Sequence, residues 1–201
     1  ENDSHYRTFS FERNYSDVPE DVAYIFGMAP NTGSFNFSPG TQIEGSFSWV
    51  GSAEEPTQAV SLSASIANQT YVANNVMNGV DGSKGLFEGP DGDVEDFCAT
   101  EITIDINNNL GAVQKLGTLG AFKVTTGQFN ATGSLTGIYG KAGSRAYDRF
   151  LDFDDTKIYV PVFDDTGNGY MFEILRAKLG DGGRGAPGVN QELFGNFSYS
   201  A

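Results

Sequence analysis

Three places in this 201-residue chain gather side chains of the kind that do chemistry. The stretch FDDTGNGYMFE, Phe163 to Glu173, sets Asp164, Thr166, Asn168 and Gly169 at the spacing that opens an Asp-X-Asx-X-Asx-Gly calcium loop. In such a loop alternate oxygens face one hard cation and the glycine permits the sharp turn. The twelfth position, where a bidentate glutamate would close the shell, is Leu175. A second acidic group, Asp91, Asp93, Glu95 and Asp96, has the same chemistry and the same missing ligand. Hard cations take about six to eight oxygens, so either loop would draw on carbonyls, water or carboxylates such as Asp152, Asp154 and Asp155. The string Asp-Asp-Thr-Gly-Asn-Gly also suits a plain hairpin loop, because Gly and Asn accept positive φ and Asp caps its own turn. The turn is the preferred reading, and Ca²⁺ is the one cofactor the sequence suggests.

The third place is a set of aromatic residues with a polar handle: Trp49, Tyr139, Tyr147 and Tyr170, with Tyr71 and Tyr159 beside them. Turned inward in a barrel, they would line a cavity for an apolar molecule or a sugar ring. For any one of them, core packing is the simpler role.

Other chemistries are excluded by residue type. The only histidine is His5, near a terminus prone to fray, so a nucleophile has no histidine base. One His and one Cys cannot supply the three or four ligands of a zinc site built on those residues. No phosphate-cradling Gly-X-X-X-X-Gly-Lys-Ser/Thr occurs, and GDGGRG lacks the strand and helix that a dinucleotide site requires. Carboxylate pairs are too easily imagined among 26 acids for one to be named as catalytic. The balance leans against enzymatic activity; a carboxylate hydrolase is the form that these residues leave open, and a cofactor-free cyclase or isomerase barrel is the form that the family resemblance given below implies.

The elements that would position these residues read as strands. Gly is frequent at 26 and aromatics make up 13% of the chain, the usage of short strands joined by turns. Phe9 and Phe11 alternate in TFSFER, as do Phe35 and Phe37 in SFNF, with Ile43, Phe47 and Trp49 in the next run. The turn Ser38-Pro39-Gly40 joins those last two as a hairpin. AVSLSASIA alternates again, and EITIDI puts Ile102, Ile104 and Ile106 on one face. NNNLGAVQKLG reads as a short helical turn; FKVTTGQF, KIYVPVF, YMFEILRAKL and ELFGNFSYS resume the strand pattern. The expectation is one all-β domain over residues 1–201, with a long acidic loop at about 74–96 and a Gly-rich loop at about 180–190. A single antiparallel β-barrel of about eight to ten strands fits best, with a β-sandwich as the alternative.

The net charge of −14 repels phosphate and anionic lipid, so nucleic acid is not an expected partner. No apolar run is long enough to span a membrane. The chain opens at Glu1 without Met and reads as a mature, processed product. Six Asn-X-Ser/Thr triplets, at Asn2, Asn14, Asn36, Asn68, Asn130 and Asn196, point to a secreted, extracellular glycoprotein. Cys98 has no disulfide partner in the chain and is expected as a buried structural thiol.

Two stretches carry a family likeness. FDDTGNGYMFE resembles the Phe-Asp-X-X-Thr-Gly-Asp-Ala hairpin of dirigent proteins, and TGIYGKAG, Thr136 to Gly143, resembles their Thr-Gly-X-Phe-X-Gly-Ala-X-Gly turn. Related allene oxide cyclase-type barrels have similar turns. The likeness covers about Thr132 to Glu173; the N-terminal half lacks the family's His-Asp entry strand, and Phe163-Asp164 stands one residue too close to its Thr-Gly. The resemblance implies a secreted eight-stranded barrel that binds a hydrophobic or phenolic small molecule and orients its reaction without a cofactor. The competing reading is an extracellular structural or adhesion module with calcium-binding acidic loops, whose surface meets glycans or further copies of the chain as a homo-oligomer.

Overall fold

The computed structural model describes residues 7–15, 17, 22–51, 53–58, 77, 85–90, 92–117, 120–164, 166–185 and 188–201. The chain is all-β, as its alternating sequence predicts. In order come β1 (Phe9–Asn14), β2 (Val22–Phe37), β3 (Glu44–Val50), β4 (Ala53–Gln58), β5 (Gly85–Glu88), β6 (Val94–Phe97), β7 (Ala99–Asn107), β8 (Gly111–Gln114), β9 (Ala121–Thr125), β10 (Asn130–Ile138), α1 (Lys141–Asp152), β11 (Asp155–Phe163), β12 (Gly169–Arg184) and β13 (Phe194–Ser200). Among the described residues no closed barrel forms. The stretch expected as a loop at 74–96 holds β5 and β6, and β12 runs on into the expected Gly-rich loop as far as Arg184. The run AVSLSASIA lies outside the described residues.

The backbone divides into two compact units. One comprises Glu1–Gly33, Phe47–Ala73 and Asn107–Phe129, the other Ser34–Ser46, Asn74–Ile106 and Asn130–Ala201. In the first, β1 and β4 each pair antiparallel with β2. Trp49 meets Phe9 and Phe11 edge-on, at 5.3 and 4.9 Å between ring centres. β8 and β9 form a separate two-stranded ladder, Gly111 opposite Thr125 and Val113 opposite Lys123. The asparagine run at its root does the bracing. The Asn108 side-chain amide donates to the Pro30 carbonyl, the Asn31 carboxamide accepts from Leu110 N, and the Asn109 side chain donates to Gln128 O, at 2.9, 2.8 and 2.7 Å. These side chains satisfy backbone groups that have no ladder partner.

The second unit is built on the ladder β7-β10-β13-β12-β11-β5-β6. One face forms the core. Ile102 and Ile104 of the predicted EITIDI strand are buried here, with Phe87, Phe97, Leu135, Ile158, Val160, Val162, Leu179 and Phe197. Phe87, Phe97 and Phe197 interlock edge to face, with centroids 5.0 and 6.3 Å apart. α1, which the strand reading of this region missed, covers part of the face and packs against β12 and β6. Its stripe is Ala142, Ala146 and Phe150, flanked by Gly143 and Tyr147, the spacing of one helical face. Cys98 is exposed rather than buried. It follows the buried Phe97 in a strand-like segment, so alternation turns it outward.

Candidate functional site

The opposite face of the second unit's sheet is polar over three adjacent strands. β7 presents Glu101, Thr103 and Asp105 there, between the buried Ile102 and Ile104. β10 presents Thr132, Ser134 and Thr136, which stand across from Ser200, Ser198 and Asn196 of β13. Beyond them, Asp181 of β12 stands across from Ser198. Thr103 and Ser134 join hydroxyl to hydroxyl at 2.9 Å, and the Thr103 hydroxyl also accepts from Ser134 N at 2.9 Å. The outcome is a hydroxyl-rich, acidic surface with no apolar side chain among these residues. Its geometry follows from period two: Leu135, Phe197 and Tyr199 occupy the intervening positions and turn into the core. Tyr199 reaches back through the sheet, its hydroxyl donating to Thr103 O at 2.8 Å. Burial, with a smaller contribution from Asp105, pushes the Tyr199 phenol well above its usual range. The group stays a neutral donor.

A second feature is a shallow groove of about 460 Å³ lined by Glu88, Gly89, Pro90, Asp155, Lys157, Leu175 and Arg176. Lys157 and Tyr159 both donate to the Glu88 carboxylate at 2.7 Å. Those hydrogen bonds, Lys157 first, hold Glu88 below its ordinary carboxyl value of 4.5. Next to them Asp155 bridges Arg176 and Lys178 at 2.8 Å each and is lowered chiefly by Lys178. The sign for Glu88 is that of a depressed acid: its stabilisation is complete above pH 4.5 and fades as pH falls through the lower folded value. We expect Glu88→Gln to lower the urea midpoint at pH 7, with the gap from the wild type closing below pH 4.5. A gap that persists at pH 3 would show that the effect does not come from this ionisation.

The metal and ligand residues predicted from sequence fall elsewhere. Asp164, Thr166 and Asn168 form the β11–β12 hairpin turn: Asp164 Oδ1 accepts from Thr166 N, Thr166 Oγ1 and Asn168 N at 2.8 to 2.9 Å, and Gly167 takes φ +85°. These bonds, the Thr166 hydroxyl first, lower the Asp164 pKa. Asp93 and Glu95 pair with Arg145 of α1, and Asp91 lies outside the described residues. Among the described residues no three His, Cys, Asp or Glu side chains gather as a metal site. Tyr139 and Tyr147 pack against the core, Trp49 against Phe9 and Phe11, and Tyr170 is 68% exposed beside its turn. Asn36, Asn130 and Asn196 are exposed strand residues, Asn14 ends β1, and Asn2 and Asn68 lie outside the described residues.

The model of the phage tail tube protein family matches residues 6–201, nearly the whole chain. The chain belongs to that family. A comparison with curated proteins finds no match. Membership of the tail tube family overturns the dirigent and allene oxide cyclase resemblance, and with it the reading as a secreted barrel that binds a hydrophobic or phenolic molecule. It overturns the glycoprotein reading of the sequons as well. The physical reason is visible in the two motifs. FDDTGNGYMFE is a self-satisfied hairpin turn that many β proteins could use. TGIYGKAG is the end of β10 running into α1, not a turn between strands. Gly137 and Gly143 answer local crowding, whereas Gly140 faces open space. A Cβ at Gly137 would lie 2.4 Å from Cys98 O and 2.7 Å from the Phe97 ring.

Sequence reasoning passed over two features of this tail tube family member. The polar sheet face was announced by the alternation Thr-X-Ser-X-Thr in β10 and Asn-X-Ser-X-Ser in β13. The stretch NNNLGAVQKLG, expected as a helical turn, holds the strand β8, which pairs with β9 in the strand-patterned FKVTTGQF. No helix among the described residues is long and apolar enough to cross a membrane.

Proposed function

We propose that this chain is a structural subunit whose copies assemble into the wall of a phage tail tube. The family match over residues 6–201 carries the reading. Proteins of that family form homo-oligomeric assemblies, so the chain's principal partner is itself. The acidic, hydroxyl-rich face of β7, β10 and β13 suits the lining of a water-filled conduit. It holds water through its hydroxyls, and the carboxylates of Glu101, Asp105 and Asp181 repel a phosphate backbone passing along it. On this view the net charge of −14 keeps a nucleic acid cargo from sticking.

The test is assembly of the purified chain, followed by analytical ultracentrifugation and negative-stain electron microscopy over a concentration and salt series. Rings or tubes of regular diameter are the expected result. A chain that stays monomeric up to millimolar concentration at every salt level overturns the proposal.

A further inference from the structure

The stretch FDDTGNGYMFE folds as a turn that sets Asn168 directly before Gly169, with both residues exposed. Asparagine is among the thermolabile residues, and a following glycine leaves its own amide nitrogen unshielded by any Cβ. The fold uses both members of the pair. A Cβ at Gly169 would lie 2.2 Å from Val162 O and 2.4 Å from the Phe163 ring, in the ladder where Gly169 stands across from Phe163. Asn168 braces the loop from the other side. Its Nδ2 donates to Thr166 Oγ1 at 2.8 Å and to Asp164 Oδ2 at 3.3 Å, and its backbone N donates to Asp164 Oδ1 at 2.8 Å. Its carbonyl accepts from Asp164 N at 2.7 Å. The side-chain amide is thus tied back across the turn by one carboxylate and one hydroxyl.

We propose that Asn168 is a covalent modification site, deamidated through a cyclic imide with Gly169, and that Asp164 sets its rate by holding the side-chain amide. The step balances with water as the only co-reactant. The Gly169 backbone nitrogen gives up its proton to solvent base and bonds to Asn168 Cγ. The Cγ–Nδ2 bond breaks, and Nδ2 takes up a proton and leaves as ammonia. Water then opens the ring at one of its two carbonyls, giving aspartate from the side-chain carbonyl and isoaspartate from the main-chain one. Either product puts a carboxylate where Asn168 had a donor, so two like charges face each other within one turn. Isoaspartate also adds a methylene to the main chain just ahead of β12, which disturbs the pairing of Gly169 with Phe163. Deamidation is therefore an irreversible mark that loosens the β11–β12 hairpin. The chemistry belongs to the single chain and does not require assembly.

The test is incubation of the full chain in mildly alkaline buffer below its melting temperature, followed by peptide mapping with mass spectrometry that separates aspartate from isoaspartate. Mapping also keeps apart the signal of Asn78–Gly79, the other Asn-Gly pair of the sequence. Both products are expected at position 168, with ammonia released to match. Asp164→Ala removes the acceptor carboxylate and is expected to speed conversion about tenfold or more, the factor for losing a hydrogen bond to a charged group. Asp164→Asn keeps one acceptor oxygen and should fall between that variant and wild type. Thr166→Val removes the hydroxyl that accepts from Nδ2 and should also convert faster, which preserves the test if Asp164→Ala does not fold; thermal midpoints establish folding. An Asn168 that stays intact in the folded chain, while Asn168 of the urea-unfolded chain converts, overturns the site. Conversion of wild type as fast as the folded variants overturns the control by Asp164, and the proposal with it.

Discussion

Phe197→Ala is expected to cost about 3–5 kcal/mol of folding stability, the range for truncating a fully buried phenylalanine. Phe197 has no exposed surface and sits on β13, midway in the second unit's ladder. Its ring meets Phe97 at 6.3 Å, edge to face. It also fills the space left by two glycines: a Cβ at Gly182 would lie 2.9 Å from the ring, and one at Gly195 3.0 Å. Those two glycines have no side chain with which to refill the cavity, which places the loss toward the upper end. For a domain of this size each kcal/mol lowers the melting temperature by about 2–4 °C, so the variant should melt roughly 10 °C or more below wild type. Tyr170→Ala, at an exposed aromatic, is the control and should change stability by no more than about 0.5 kcal/mol. A Phe197→Ala loss below about 1 kcal/mol would mean that the core is not packed as described.

The second large effect is expected at Gly133. A Cβ there would lie 2.0 Å from Thr103 O and 2.4 Å from the Tyr199 hydroxyl, the two atoms joined by the 2.8 Å hydrogen bond behind the polar face. One is backbone and cannot swing away. Gly133→Val must therefore part β7 from β10 or eject the Tyr199 phenol. Overpacking costs about 1–3 kcal/mol or more, and the lost buried hydrogen bond about 1 kcal/mol more. The phenol offers a direct readout. In the wild type burial keeps Tyr199 neutral far into alkali; in the variant one more of the nine tyrosines should ionise in the ordinary range, seen by ultraviolet titration. An unchanged titration together with unchanged stability would contradict this close approach of Gly133, Thr103 and Tyr199. Because the polar face sits on these strands, the same variant should also impair assembly.

The two predictions bear on the proposed tube through the same sheet. A conduit wall needs one face that holds the fold together and one that meets water, and period-two alternation in β7, β10 and β13 makes both from a single layer. The calcium-like spacing of Asp164, Thr166 and Asn168 forms a hairpin turn in the structure. Here the Asp164 carboxylate accepts hydrogen bonds from its own loop, a use that spacing alone does not distinguish from ligation.

Alternation was enough to place β2, β7 and β11 and their buried sides, though not β5, β6 or β8. Ile102, Ile104, Phe37 and Val160 are buried as their spacing requires, because a strand's faces are set by residue parity wherever one side is apolar. Composition was enough to leave a nucleophile without a well-placed histidine base, since the single histidine is His5, near the terminus. Only the tertiary structure showed that Leu110, Val113 and Leu116 belong to a hairpin root and ladder, because β8 is stabilised by β9, a partner that no local window contains. Only it showed that Ala142, Ala146 and Phe150 form a helix stripe, where Gly143 and the strand-like residues nearby weaken helix propensity and packing against β6 and β12 restores it. Only it showed that the polar sides of β7, β10 and β13 form one surface, because these strands are brought side by side by pairing between segments far apart in the chain, which no single segment's pattern contains.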